Sequence, residues 1–149
     1  MTRFTLILLF VLAPLAVLAQ DTSMQDAGPS DFEQIEKVIG HYFQGHATGD
    51  GSHFARAFHP DALMFSAGPD GEMRRFELRG WFDGRNDPAP DEDQRHRWIE
   101  SIEVLGTVAT ARLVLDYPGV VLHDVMTLVK AEGKWQIVSK VFSASPKGK

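Results

Sequence analysis

The last third of the chain constrains the fold most. Residues 98–105, 108–117, 120–130 and 134–143 are four long runs with the alternation and β-branched content of strands. Between them stand a tight turn at Gly106, the pair Pro118-Gly119 and the pair Glu132-Gly133. Links this short join antiparallel neighbours, because a parallel pair needs a crossover of a dozen or more residues. Pro-Gly suits a type II turn, in which the glycine takes the positive φ. The runs therefore predict a meander closed by the last strand.

The region before the meander has a different period. Phe32, Ile35, Ile39, Tyr42, Phe43 and His46 recur at three- and four-residue steps, giving one apolar face on a helix that runs to about Thr48. Ser30 or Asp31 can cap it, with Glu33 placed to help in the first turn, and Gly49-Asp50-Gly51 stops it. A short helix over 52–58 follows, with Phe54, Ala55 and Phe58 on one side. Pro60 forbids its continuation and pushes His59 out of helical geometry. Residues 62–67 and 72–79 then read as a hairpin around the turn residues GPDG. Residues 80–84 suit a helical turn or a loop, and 86–94 form a polar loop with two prolines. Helices first and strands later predict one α+β domain over 31–145, with the helices on one face of a curved antiparallel sheet.

The first residues are of another kind. Arg3 gives a positive start, 4–18 is almost wholly apolar, and Val17-Leu18-Ala19 offers short residues to a signal peptidase. This predicts a signal peptide over 1–19 cut after Ala19, hence an exported protein, periplasmic or secreted. The alternative is an uncleaved anchor, but the apolar run falls short of the roughly 20 residues that a spanning helix needs. Residues 20–30 are small and polar and read as a flexible lead-in.

Composition excludes several functions. The formal charge is -5 and no Lys/Arg block stands out, which argues against a nucleic-acid partner. There is no cysteine, so disulfides, thiolate nucleophiles, thiolate metal sites and iron–sulfur clusters are out. Six histidines lack the H-E-x-x-H and H-x-H spacings, and Arg95-His96-Arg97 sets cations beside one of them, so no metal is predicted. Without a G-x-S-x-G elbow or a phosphate-cradling glycine loop, the serine-hydrolase and nucleotide-binding readings are weak. No cofactor is predicted.

With IEKVIGHYFQGHATGD, AFHPDALMF and LVKAEGKWQIVSKVF in this order, the chain resembles the nuclear transport factor 2-like superfamily. Within it, the chain is most similar to the SnoaL-like group labelled "putative lumazine-binding". The resemblance implies a cone, in which a strongly curved antiparallel sheet wraps around the long first helix. It implies a pocket at the open end, and often a homodimer through the sheet. Isomerases, dehydratases, epoxide hydrolases and cyclases share this fold with members that only bind or scaffold, so the fold alone does not choose an activity.

The candidate residues follow from register and face. A two-residue turn at Glu132-Gly133 sets Lys130 opposite Trp135, Leu128 opposite Ile137, Met126 opposite Ser139 and Asp124 opposite Val141. Trp135, Ile137 and Val141 then share the inward face with Leu128, Met126 and Asp124. Asp124 is a carboxylate among hydrophobes, whose burial would suit it to acid–base work, unless it sits solvated at the strand's open end or pairs with a basic neighbour. In this register Lys140 faces outward, and a pocket role would require a bulge. Tyr42 lies four residues from His46 on one helix face and could donate to an oxygen that gains charge, or be core. His46 near the helix end suits the dipole there. His41 falls toward the polar side. His59 is a corner residue by local chemistry and a pocket residue by resemblance. Trp81 and Phe82 could form a lid or belong to the core.

Three functions remain open. The first is binding of a small apolar or aromatic molecule without transforming it. Its walls would come from Tyr42, Phe43, His46, Phe58, Met64, Phe65, Trp81, Met126 and Trp135, with His59 and Asp124 as polar anchors. The second is a cofactor-free isomerase or dehydratase, with Asp124 or His59 moving a proton and Tyr42 stabilising the oxygen. The third is a partner-binding domain with a filled cone.

Overall fold

The computed structural model describes residues 29–148. The proposed signal peptide and most of the lead-in lie outside the described residues. Helix α1 (Asp31–Thr48) opens on a full capping box. Ser30 Oγ accepts from the Glu33 amide, and the Glu33 carboxylate accepts from the Ser30 amide at 2.7 Å. Gly49 ends the helix at φ 70°, the left-handed conformation that a residue without Cβ adopts at least cost. Ile35, Ile39 and Tyr42 are buried on the predicted face. Phe32 is not: it is 51% exposed.

Helix α2 (Gly51–Ala57) leads directly into β1 (Phe58–Ala67), which pairs antiparallel with β2 (Met73–Phe76) as the predicted hairpin. One turn of helix, α3 (Arg79–Phe82), and a 3-10 turn, η1 (Glu92–Gln94), precede the meander of β3 (His96–Leu105), β4 (Val108–Tyr117), β5 (Val120–Ala131) and β6 (Lys134–Pro146). The six strands form one sheet in the order β2-β1-β6-β5-β4-β3. The last strand therefore lies inside the sheet, where it pairs in parallel with β1. Strand β1 begins four residues earlier than its alternation suggests. The segment His59-Pro60-Asp61-Ala62 bulges away from β6 between the pairs Phe58–Ile137 and Leu63–Ser139, and Pro60, with no N–H to offer, is placed where none is needed.

The final hairpin corrects the predicted register. Lys130–Trp135 and Leu128–Ile137 pair as expected across a turn with positive φ at both Glu132 and Gly133. Beyond them, Thr127 pairs with Ser139, so Val138 is an extra residue in β6. Met126 then faces Lys140 rather than Ser139, and Asp124 faces Phe142 rather than Val141. Asp124 keeps its inward face. Val141 turns out to solvent at 48% exposure, and Lys140, expected outside, turns in at 3%. The core between α1 and the sheet holds Ile35, Ile39, Met126, Leu128 and Ile137. At the narrow end, Asp31 Oδ1 accepts from Lys130 Nζ at 2.6 Å and Trp135 Nε1 at 2.9 Å, tying the start of the helix to the hairpin.

Candidate functional site

Midway along α1, three polar side chains meet in the core. Tyr42 Oη donates to Asp124 Oδ2 at 2.6 Å. Lys140 Nζ lies 2.6 Å from Tyr42 Oη and 2.8 Å from Asp124 Oδ2. All three are buried, and the Lys140 ammonium also lies 4.9 Å from the centre of the Tyr42 ring. The Val138 bulge makes this cluster possible, because it turns Lys140 to the face that Asp124 occupies. Burial, then the charge of Asp124, holds the Tyr42 phenol well above its usual range, so it remains a donor. Burial lowers the Lys140 ammonium, and Asp124 opposes that shift. Asp124 Oδ1 has no partner.

One turn further along α1, His46 packs edge-on to Tyr42 with ring centres 4.7 Å apart, and edge-on to Phe54 at 5.1 Å. Its Nε2 is sealed from solvent and has no hydrogen-bond partner. Burial, reinforced by the positive charges of Lys140, Arg97 and Arg95, lowers its pKa to about 3. The imidazole is therefore neutral at working pH.

His46 forms part of the wall of a pocket of about 350 Å³ at the wide end of the cone, with Gly45, Phe54, Trp81, Asn86 and Ala89. The loop after α3 builds the outer rim. It is held by Gly51 N–H to Gly84 O at 2.9 Å, by Asn86 N–H to Gly49 O at 3.1 Å, and by an ion pair between Arg85 and Asp50. Its far end is pinned to the sheet. Arg97 grips Glu92 with both terminal nitrogens, at 2.5 and 2.9 Å, and donates to Tyr117 Oη at 2.7 Å. The Arg95 and Arg97 guanidiniums lie 4.5 and 4.8 Å from the Tyr117 ring centre.

The expected site residues thus separate. His46 and Trp81 line the pocket. Tyr42, Phe58, Met64 and Met126 are core, and Phe43 packs against it. Phe65 lies on a shallow groove near β2, and Trp135 at the opposite end of the cone. Phe82 stacks on Phe58 with ring centres 6.4 Å apart. His59 turns back on its own corner, where Nδ1 accepts from the Asp61 amide at 3.1 Å, and it is not part of the pocket. His41 is half-buried against His53 rather than free in solvent. Among the described residues, no three His, Cys, Asp or Glu side chains converge as a metal site.

The comparisons agree with this architecture. A family model described as "Putative lumazine-binding" matches residues 30–143. The chain belongs to this family. A solved NTF2-like protein from Shewanella baltica is 29% identical, covers 78% of this chain and 94% of its own, and superposes with a TM-score of 0.68. Another from Methylobacillus flagellatus is 30% identical, with 77% and 92% covered and a TM-score of 0.65. Among curated proteins, the aldolase FrzH of a Cladobotryum species is 26% identical over 120 residues, 79% of this chain and 94% of that one.

The neutral His46 has a measurable consequence. An unfolded imidazole takes its proton near pH 6.5, and this one only near 3. Between those values the unfolded chain holds the extra proton. The stability that His46 contributes is therefore whole above pH 6.5 and is lost as the pH falls, at up to about 1.4 kcal/mol per unit. His41, lowered by burial first and then by Arg56, adds to the same acid limb. Urea midpoints at pH 7 and pH 5 are expected to differ distinctly less in His46→Phe than in the native protein. Equal differences would remove the buried neutral histidine from the account.

Proposed function

We propose that the protein binds a small, flat, apolar or aromatic molecule in the pocket beside His46, without transforming it. The observation that carries this reading is the neutral imidazole at the wall of a pocket flanked by Phe54 and Trp81. Aromatic walls with one or two placed polar groups are what such ligands need. The family's description names a lumazine, a flat heteroaromatic of a size that fits the volume. Titration with lumazine, followed by tryptophan fluorescence and calorimetry, is expected to give saturable binding, weakened about tenfold in His46→Ala. Binding that ignores both His46→Ala and Ala89→Trp would place the ligand elsewhere.

A second reading draws support from the relative named as an aldolase and from the Tyr42–Asp124–Lys140 cluster. A carboxylate to take a proton and a phenol to hold an enolate oxygen suit an isomerase, a dehydratase or an aldol reaction. Here the phenol's hydrogen bond is already donated to Asp124, and all three groups lie beneath the pocket wall, so substrate would have to displace Tyr42. His59, occupied at its own corner, offers less. Exchange of α-protons of small ketones in D2O, present in the native protein and absent in Asp124→Asn, would favour this reading; no exchange above buffer would exclude it.

Export and a homodimer belong to the same proposal. Terminal sequencing of the protein from its producing cell is expected to start at Gln20. The outer face of the sheet exposes Trp98, Val125 and Val141, a suitable dimer surface for the third, partner-binding function as well. Light scattering is expected to give twice the chain mass for the native protein and the single-chain mass for Val125→Asp.

A further inference from the structure

Nearer the start of α1 than the His46 pocket, a groove of about 330 Å³ runs between α1, α2 and the β5–β6 turn. Its floor is apolar, with Val38 and the edge of Trp135, while Lys37, His41, Arg56 and Lys134 line it. None of the ion pairs among the described residues uses Lys37, Arg56 or Lys134. Arg56 makes one bond, to Ser52 Oγ at 3.2 Å. The groove's carboxylate, Glu33, is turned to its capping box, where one oxygen accepts from both the amide and the hydroxyl of Ser30. The neighbouring Asp31 is held by Lys130 and Trp135. Three cations without an ion-pair partner against one carboxylate leave the groove net positive over an apolar floor, in a chain of net charge -5, a local field that favours an anion.

We propose that this groove is a second binding site, for an organic anion with an oxyanion head and a short or flat apolar body. The head meets Lys37, Arg56 and Lys134, and Arg56 can hold it in a two-pronged grip. The body lies along Val38 and Trp135. His41 adds pH dependence. Its Nδ1 lies 3.4 Å from Nδ1 of His53, so in the neutral pair one ring donates to the other. The charged and titratable groups facing it are Lys37 on its own helix and His53 and Arg56 on α2, and Lys134 and Glu33 complete the groove. Burial, then the charges of Arg56, His53 and Lys37, holds His41 neutral near pH 7. A bound anion offsets those charges, so binding draws a proton onto His41 and tightens as the pH falls from 7.5 to 5.5.

The probe is 2-naphthoate, with 2-naphthamide as its uncharged counterpart, followed by calorimetry and by NMR of the Trp135 indole and the Gly133 amide. Naphthoate is expected to bind and to shift both signals. The amide is expected to bind at least tenfold more weakly, and Arg56→Gln and Lys37→Gln to weaken naphthoate about tenfold each. His46→Ala is expected to leave this affinity unchanged, which separates the groove from the His46 pocket. Equal binding of naphthoate and naphthamide, indifference to Arg56→Gln and Lys37→Gln, or shifts confined to Trp81 would each overturn the proposal.

Discussion

Replacing Lys140 with methionine is expected to destabilise the protein by about 3–5 kcal/mol, the range for stripping one partner from a buried ion pair. The stem of lysine is matched by methionine, so little packing is lost. What is lost is the cation that neutralises Asp124, a carboxylate with 1% exposure whose Oδ1 already lacks a partner. For a domain of this size the loss corresponds to a fall in Tm on the order of 10 °C. The double variant Asp124→Leu/Lys140→Met removes both charges, and is expected to recover much of that loss because no buried charge remains. Tyr42→Phe removes one donor and leaves the ion pair standing, so its cost is smaller, about 1–3 kcal/mol. Differential scanning calorimetry on the four proteins checks the ranking. A Lys140→Met protein as stable as the native one would mean that the ammonium is not inside the cone.

Gly51→Ala is the second large effect, about 2–3 kcal/mol. Gly51 is the first residue of α2, and a Cβ there would stand 1.9 Å from the carbonyl oxygen of Trp81 and 2.8 Å from that of Gly84. Both obstacles are backbone, so no rotamer change relieves them. The α3 loop must move away, stretching the Gly51 N–H to Gly84 O bond and drawing Trp81 from the pocket wall. Chemical denaturation is expected to show the loss, and lumazine binding is expected to fall with it. Alanine at Gly40, where a Cβ meets nothing within 4 Å, is the control and is expected to be tolerated.

The pattern of the elements was legible because it is local. The capping box at Ser30, the stop at Gly49, the GPDG turn and the meander each follow from neighbouring residues. The site was less legible because it depends on one bulge. Up to Ile137, the alternation in β6 distinguishes inside from outside. Beyond it, Ser139 and Lys140 are both polar, and the pattern gives no sign that Val138 is looped out. Lys140 turns inward because Asp124 and Tyr42 are waiting, and Tyr42 is 98 residues away in sequence. The outer pocket wall depends on a loop, 84–89, held by two backbone hydrogen bonds that any sequence could make and by one ion pair, Arg85–Asp50, between residues far apart in sequence. His59 shows the opposite case: local chemistry before Pro60 marks it as a corner residue, and a bond from the Asp61 amide accounts for its place.

The proposed function stands on a small molecule held in the pocket beside His46. Native mass spectrometry of the protein from its own compartment tests it most directly, with Ala89→Trp run in parallel. Ala89 lies on the pocket rim, where an indole fills the space without entering the core. A bound species of defined small mass is expected on the native protein, recovered in a denatured extract and absent from Ala89→Trp. An unliganded native protein, or a ligand that Ala89→Trp retains, would contradict it.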